Sequence, residues 1–158
     1  MNRYTLVTEF LDLKKVPYEH RVHRPAYTAQ QVAEETHVPG LLMAKTVMLK
    51  VDGRFVMAVL PAPMHIDTAR LRRALGAEML RLATETEFQG LFPDSELGAM
   101  PPFGNLYGIP VYVEESLARD REIVFNAGTH QDAIRMLYDD FARLVSPQVI
   151  SFALTHAA

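Results

Sequence analysis

The pattern of apolar and polar residues predicts a chain of short helices and strands built around one sheet. Apolar residues recur at helical spacing near the N-terminus, and this run ends before Pro17. Asp67 is a favoured N-cap type ahead of a later run, and Gly76 is a typical stop after it. Spacing, capping residues and stops of this kind predict helices over residues 5–15, 28–36, 68–75, 84–87 and 139–145.

The strongest strand signal is a hairpin over residues 45–60. Two β-rich runs flank Asp52-Gly53, a dipeptide typical of two-residue hairpin turns. Both runs are apolar on both faces, which favours a central sheet position covered on each side. Pro110 indicates an edge position or a bulge for the strand over 109–113, because proline cannot donate to a ladder. Other strands are predicted over 18–22, 79–82, 122–125 and 149–152, and residues 133–138 fit either a strand or a helix start.

The order of these elements predicts a mixed α+β fold, with a strongly curved, barrel-like sheet surrounded by helices. The chain has 158 residues, and 49% of them are hydrophobic, which fits one domain over residues 1–158 with a full core. Residues 90–108 are rich in glycine and proline and predict a long loop. Loops of this length in compact domains are usually functional or disordered.

Missing signals narrow the class of protein further. No run of about 18 apolar residues predicts a membrane-spanning helix, and the N-terminus lacks the apolar region of a signal peptide. These absences lead us to expect a cytoplasmic location and no membrane partner. Cysteine is absent, which excludes disulfides, thiol nucleophiles and cysteine-ligated zinc.

Charge is distributed unevenly along a chain whose net charge is −3. Residues 1–81 carry 12 Lys/Arg and 8 Asp/Glu, against 4 and 11 in residues 82–158. The first half could therefore present a basic surface to a polyanion although the whole chain is acidic. Arg70, Arg72, Arg73 and Arg81 form the densest basic cluster, and the alternative interpretation is an ordinary solvated helix face.

Lys45 is an unusual charge at the head of an apolar strand. Alternation places Lys45 on the same face as Val47 and Leu49. A buried ammonium is unfavourable unless it is paired or functional. The alternative is that the flexible side chain simply reaches solvent at the strand end.

Two glycine-containing loops, residues 98–104 and 126–130, are the other candidates for chemistry. Their glycines let backbone N–H groups approach a ligand, and such groups can stabilise an oxyanion without a charged side chain. The alternatives are an ordinary surface turn for the first loop and a structural or surface role for His130. Glu114 and Glu115 are interpreted as solvated charges.

Common catalytic motifs are missing from the sequence. It contains no Gly-x-Ser-x-Gly elbow and no phosphate-binding Gly-Lys-Ser/Thr loop. His20 and His23 lack the further ligands of a zinc site, so neither a metal nor another cofactor is expected.

Lys45 in Ala-Lys-Thr-Val, the Gly98-Ala-Met-Pro-Pro-Phe-Gly104 loop and Asn126-Ala-Gly-Thr-His130 together resemble the YbaK-like prolyl-tRNA editing domain family. The tail over residues 140–145, followed by Pro147, is also similar, and the resemblance spans roughly residues 5–153. It implies a mixed sheet curled towards a barrel, with helices around it. It also implies hydrolysis of the ester that links a wrong amino acid to the 3′ end of a tRNA.

The resemblance further implies roles for individual residues. Lys45, Gly98, Gly128 and His130 match the family's active-site positions and are expected to be catalytic, with Lys45 orienting the ester end rather than attacking it. The expected substrate is a small amino acid on tRNA-Pro, because a rigid proline-containing loop limits pocket size. Residues on the same segments expected to bind substrate are Thr46, Pro101, Pro102, Phe103 and Thr129. Charge, rather than the resemblance, indicates that Arg70, Arg72 and Arg73 bind tRNA.

The expected partner is the acceptor end of an aminoacyl-tRNA, met either alone or beside a synthetase. The family resemblance also admits assistance by the 2′-hydroxyl of the tRNA, which would explain the lack of an obvious protein base. Two other functions stay open on the sequence. One is a non-catalytic module of the same fold that binds tRNA or an amino acid, and the other is a hydrolase of another small activated ester.

Overall fold

A computed structural model describes residues 6–24, 31 and 42–155. Apart from residue 31, the helix predicted over 28–36 lies outside the described residues. No helix among those described is both long and apolar enough to cross a membrane. The α-helices of the described part are α1 (Leu6–Leu13), α2 (Thr68–Leu75), α3 (Glu85–Phe88), α4 (Glu115–Ala118) and α5 (Tyr138–Val145).

The strands of the described residues form three sheets. They are β1 (Glu19–Val22), β2 (Ala44–Val51), β3 (Arg54–Pro61), β4 (His65–Ile66), β5 (Leu80–Leu82), β6 (Val111–Glu114), β7 (Glu122–Asn126), β8 (Asp132–Leu137), β9 (Gln148–Ile150) and β10 (Ala153–Leu154). The largest sheet has the order β5-β2-β3-β6-β9, and the others are β1-β8-β7 and β10-β4. In the largest sheet β6 is parallel to β3 and β9, whereas β2 is antiparallel to its neighbours. The mixed α+β class is confirmed, and the barrel-like curvature stays a prediction because the strands do not close on themselves.

The predicted hairpin lies at the centre of the largest sheet. Asp52 and Gly53 have φ values of +48° and +82°, as a type I′ turn requires at both central positions. β2 and β3 pair over their full length, from Ala44 opposite Pro61 to the turn. The hairpin therefore holds Lys45, the second residue of β2, on a rigid frame.

The two faces of β2 pack against different apolar clusters. Ala44 and Met48 face the main core, which includes residues of α1, α5, β7 and β8. Leu49 lies on the opposite face, in a second cluster that includes Leu71 of α2 and Phe152 beside β10. This double cover confirms the central position predicted for the hairpin, and Lys45 shares the face of the second cluster by alternation.

Gly104 is held where no larger residue fits. A Cβ atom at Gly104 would lie 2.6 Å from the carbonyl oxygen of Ile109 and 2.8 Å from Cγ2 of Val111. Because the first contact is to backbone, Gly104→Ala must displace the chain, and we expect a loss of about 1–3 kcal/mol in the free energy of unfolding. Urea titration measures it, with Gly90→Ala as control because a Cβ there would have no neighbour within 4 Å. Equal stabilities for the two variants would contradict the close approach.

Candidate active site

The two glycine loops contact each other directly. Gly128 donates its N–H to the carbonyl of Ala99 at 2.9 Å, and its own carbonyl accepts the N–H of Glu96 at 2.7 Å. These bonds join the loop around Gly98 to the turn that follows β7. The structure therefore brings together two segments that are far apart in the sequence.

His130 packs over Gly98 at this loop junction. Its ring nitrogen Nε2 lies 2.8 Å from the carbonyl oxygen of Leu97, and because a carbonyl only accepts, Nε2 carries the proton in this contact. The backbone N–H of His130 donates to Oε1 of Glu96 at 2.8 Å. Gly98 has φ +86°, and a Cβ there would lie 3.5 Å from Cε1 of His130. The histidine is thus fixed against the glycine by both its ring and its backbone.

The two glycines differ in what their backbone can offer a ligand. The N–H of Gly128 is already used on Ala99, so Gly128, with φ +97°, serves the loop junction itself. Among the described residues, the N–H of Gly98 meets only the sulfur of Met100, at 3.3 Å. A thioether is a weak acceptor, so the Gly98 N–H is the more available donor for an oxyanion.

A buried carboxylate, Asp132, holds the turn that carries Gly128 and His130. The hydroxyl of Thr129 donates to Oδ2 of Asp132 and accepts the N–H of Gln131 at 3.1 Å. His20 of β1 approaches the other oxygen, with Nε2 2.7 Å from Oδ1. Thr129, predicted to bind substrate, therefore has its hydroxyl engaged within the turn.

Lys45 lies between two apolar clusters on one face of β2. Met43, on the same face, packs in a small cluster with Val124, and Leu49 packs in the second cluster. Leu60 is the cross-strand neighbour of Lys45 on β3. Burial lowers the pKa of the Lys45 ammonium, and no hydrogen bond or ion pair within the described ranges engages it. Lys45 is therefore a half-buried cation without a protein partner there.

An isolated parallel bridge brings the start of β2, which carries Lys45, close to β7. Met43 pairs with Val124 in that bridge, and the two strands stay in contact beyond it. Lys45 is two residues past Met43, and Asn126 is two residues past Val124. The turn containing Gly128 begins immediately after Asn126, so Lys45 lies where the glycine loops leave the sheet.

The side chain of Thr46 lies on the opposite face of β2 from Lys45. Its neighbours on that face, Ala44 and Met48, belong to the main core. The backbone of Met48 points to the sheet edge away from β3, since its carbonyl accepts the N–H of Ala83 at 2.9 Å. The backbone groups of Thr46, two residues earlier on the strand, point to the same edge. Because the Thr46 side chain faces the main core, a ligand contact from this residue would come from its backbone.

The proline-containing half of the 98–104 loop is anchored in the core. Pro101 and Pro102 are buried, and Phe103 is fully buried with its ring centroid 5.5 Å from that of Phe125 and 5.4 Å from that of Phe141. The core therefore fixes one end of the loop. The Phe103 ring has no exposed surface in this arrangement.

The three predicted tRNA-binding arginines lie on α2, which packs through Leu71 over the second cluster. Arg72 is partly buried and its Nη1 donates to the carbonyl of Ala77 at 3.4 Å. Arg70 and Arg73 are exposed, and the described residues give them no acidic partner. These two cations lie on the same side of the sheet as Lys45.

Two cavities lined by described residues lie at the other end of the hairpin. One of about 780 Å³ includes Asp52 and Glu78 in its walls, and one of about 970 Å³ includes Phe55 and Tyr107. Lys50 borders both cavities. None of the predicted site residues lines these two cavities. Among the described residues, no group of three or more His, Asp or Glu is placed to hold a metal.

An α+β fold with a half-buried lysine beside two joined glycine loops is the arrangement expected of an aminoacyl-tRNA editing domain. A family model described as the aminoacyl-tRNA editing domain matches residues 23–144, and the chain belongs to this family. One similar protein is the multifunctional Ser/Thr-tRNA deacylase ProXp-y of Escherichia coli K12. It is 30% identical over 121 residues, which cover 71% of this chain and 70% of that protein.

Other relatives connect the chain to prolyl-tRNA synthetase. A proline–tRNA ligase of Staphylococcus epidermidis is 32% identical over 75 residues, covering 48% of this chain and 13% of the ligase. A solved structure described as a candidate trans-editing enzyme for prolyl-tRNA synthetase shares the fold, with a TM-score of 0.80, 20% identity and 94% of each chain covered. The predicted family and the predicted class, an aminoacyl-tRNA trans-editing deacylase, are confirmed.

Proposed function

We propose that the protein hydrolyses the ester of tRNAs that carry a wrong, small amino acid, with tRNA-Pro as the first candidate. The supporting observation is the junction of the two glycine loops next to Lys45, a cation that no described residue pairs. The names of the relatives support the choice of substrate, since one is a Ser/Thr-tRNA deacylase and others are proline–tRNA ligases. The partner is the acceptor end of the tRNA, met either alone or beside a synthetase.

The chemistry needs positioning more than a strong nucleophile. An aminoacyl ester is already activated, so a placed water and donors for the oxyanion supply most of what is required. Lys45 orients the ester end through its ammonium, and the Gly98 N–H donates to the developing negative charge. His130 shapes the pocket over Gly98.

Two carboxylates at the loop junction, Glu96 and Asp132, are poorly suited to act as a general base. Glu96 accepts the backbone N–H of His130, and Asp132 is engaged by His20 and Thr129. The 2′-hydroxyl of the terminal ribose can assist the reaction instead. This role for the tRNA fits a site whose protein groups mainly orient and stabilise.

Selection of a small amino acid follows from the anchored loop. Pro101 and Pro102 restrict the backbone of the loop, and burial of Phe103 fixes the end of the loop in the core. A pocket with a rigid wall excludes larger side chains, but one methylene is worth only about 1–3 kcal/mol. We therefore expect preference among Ala, Ser, Thr and Cys rather than strict selection of one.

A deacylation panel tests the proposal. The substrates are tRNA-Pro charged with Ala, Ser or Cys, together with the Ala- and Thr-charged cognate tRNAs. We expect hydrolysis of at least one small-residue tRNA by the wild-type protein. Binding without any hydrolysis would favour a non-catalytic module, and cleavage of simple amino-acid esters alone would favour a small-ester hydrolase.

Neutralising the exposed arginines of α2 should weaken tRNA binding through charge. For Arg70→Gln and Arg73→Gln we expect a lower affinity and a salt slope reduced by about 1 for each tRNA phosphate that the variant no longer neutralises. Binding measured against salt concentration gives the slope. The control is Arg119→Gln, an exposed arginine paired with Glu115 on α4. An unchanged slope in both α2 variants would remove this helix from the tRNA interface.

A further inference from the structure

A buried acceptor without a partner lies at the end of β7. The Oδ1 atom of Asn126 is buried and has no hydrogen-bond partner within residues 6–24, 31 and 42–155. Its neighbour across the ladder to β8 is Ala133, which offers no side-chain donor. Buried polar atoms are nearly always satisfied, so an exception calls for an explanation, and a ligand that supplies the missing donor is one.

Strand register brings this acceptor next to Lys45. Met43 and Val124 are paired in the parallel bridge, and side chains of paired residues point to the same face. Two residues further along each strand, Lys45 and Asn126 have the same alternation as the bridged residues, and β2 and β7 stay in contact beyond this isolated bridge. Adjacent strands lie about 4.8 Å apart. The site thus presents a donor and an acceptor from two contacting strands, and neither has a partner in the described structure.

A pair of this kind matches two neighbouring ligand oxygens, one that accepts and one that donates. The terminal ribose of an aminoacyl-tRNA offers them on adjacent carbons, as the 3′-ester and the 2′-hydroxyl. The α-ammonium of the amino acid is the other available donor, but a second cation beside Lys45 would be repelled in a partly desolvated site. A neutral hydroxyl carries no such penalty.

We propose that Asn126 accepts a hydrogen bond from the 2′-hydroxyl of the terminal ribose while Lys45 contacts the neighbouring ester. Asn126 is then a specificity residue that distinguishes a ribose end from a deoxyribose end, a distinction for which the 2′-hydroxyl is the chemical handle. The inference rests on the proposed function, since it assumes that the ester end binds at Lys45.

Binding of uncleavable analogues tests this role. The probes are adenosine with an amide-linked alanyl group at the 3′ position, its 2′-deoxy counterpart, and its N-acetylated counterpart. Dissociation constants are measured by calorimetry for the wild type, Asn126→Leu and the smaller Asn126→Ala. The control is Asn105→Leu, an exposed asparagine in the 3₁₀ turn Gly104–Tyr107.

We expect the wild type and the control to bind the 2′-hydroxyl analogue about 10-fold more tightly than the 2′-deoxy analogue, as one hydrogen bond to a buried acceptor allows. The two Asn126 variants should bind both analogues equally. Equal binding by the wild type, or an unchanged ratio in the variants, overturns the proposal. If the variants instead lose discrimination between the free and acetylated amines, Asn126 serves the amine and the ribose assignment is wrong.

Failure of this inference is separable from failure of the proposed function. Deacylation of charged tRNA by the wild type tests the function, and the ratio of analogue affinities tests Asn126 without any chemistry. Thermal unfolding of each variant checks that the fold is kept. Hydrolysis of charged tRNA together with an unchanged ratio would leave the function standing and remove Asn126 from ribose recognition.

Discussion

Replacement of Lys45 by methionine should lower the rate of single-turnover deacylation by about 100-fold or more, the scale of losing one oriented donor at a reacting centre. The side chain keeps its length but loses the ammonium that orients the ester end. Lys50→Met is the matched control, because Lys50 lies towards the other end of β2, with Nζ 4.0 Å from the centroid of the Phe55 ring. Its deacylation rate should stay close to that of the wild type.

The same Lys45 variant should not be less stable than the wild type. Burial lowers the pKa of Lys45 in the folded state, so the unfolded chain binds the proton more tightly. Stability therefore rises with pH between the lowered pKa and the ordinary value of 10.5. Lys45→Met should remove this increase of stability with pH. It should also remove the unfavourable free energy of an unpaired, half-buried charge. A variant that loses stability and activity together would indicate a structural lysine.

Replacement of Glu114 by alanine should produce the largest loss of stability, about 3–5 kcal/mol. The carboxylate of Glu114 is buried and accepts three backbone N–H groups: Ser116 at 2.7 Å, Phe152 at 2.8 Å and Ala153 at 3.1 Å. Removing it leaves these donors unsatisfied beneath the second cluster. Urea unfolding at neutral pH measures the loss, and a change similar to that of its exposed neighbour, Glu115→Ala, would contradict the account.

Acid should remove the contribution of Glu114. Burial alone would raise the pKa of its carboxyl, but the hydrogen bonds from Ser116, Phe152 and Ala153 outweigh burial and lower it below the ordinary value of 4.5. A lowered folded-state pKa stabilises the fold above the ordinary value, and that stabilisation is lost as pH falls through the lowered one. The wild type should therefore lose stability in this acid range, and Glu114→Gln should lose less.

Local signals predicted the frame of the site well. Asp52-Gly53 between two β-rich runs is a hairpin signal that depends only on neighbouring residues, and the hairpin is present. The loop over 90–108 was also predicted from composition, although it contains short 3₁₀ turns at Gln89–Leu91 and Gly104–Tyr107. Local preference needs no knowledge of distant partners, which explains this success.

Long-range partners account for what the sequence did not predict. Glu114 was interpreted as a solvated charge, which is wrong, because two of its donors come from Phe152 and Ala153 far along the chain. Pro110 suggested an edge position or a bulge, but β6 begins after it and lies between β3 and β9. The carbonyl of Pro110 still accepts the N–H of Met57 at 2.9 Å. This bond to β3 uses the acceptor that proline keeps and not the N–H that it lacks.

The site shows the same division between local and distant information. Lys45 and the glycines stand out in the sequence, but Asp132 does not, because its role depends on His20 from another strand. Asn126 opens one of the motifs that stand out, but no role could be assigned to it from the sequence, because the contact between its strand and that of Lys45 appears only in the bridge between Met43 and Val124. The only local signal for Asp132 and Asn126 was that each lies close to the turn that contains Gly128.

The most direct test of the central claim is where an ester analogue binds. Backbone amide shifts are followed by NMR while the uncleavable 3′-alanylamido adenosine is titrated into the wild-type protein. We predict the largest changes at Thr46, Gly98 and Gly128, around Lys45 and the loop junction. The largest changes at Gly53 and Gly108, which line the cavities at the far end of the hairpin, would contradict the account.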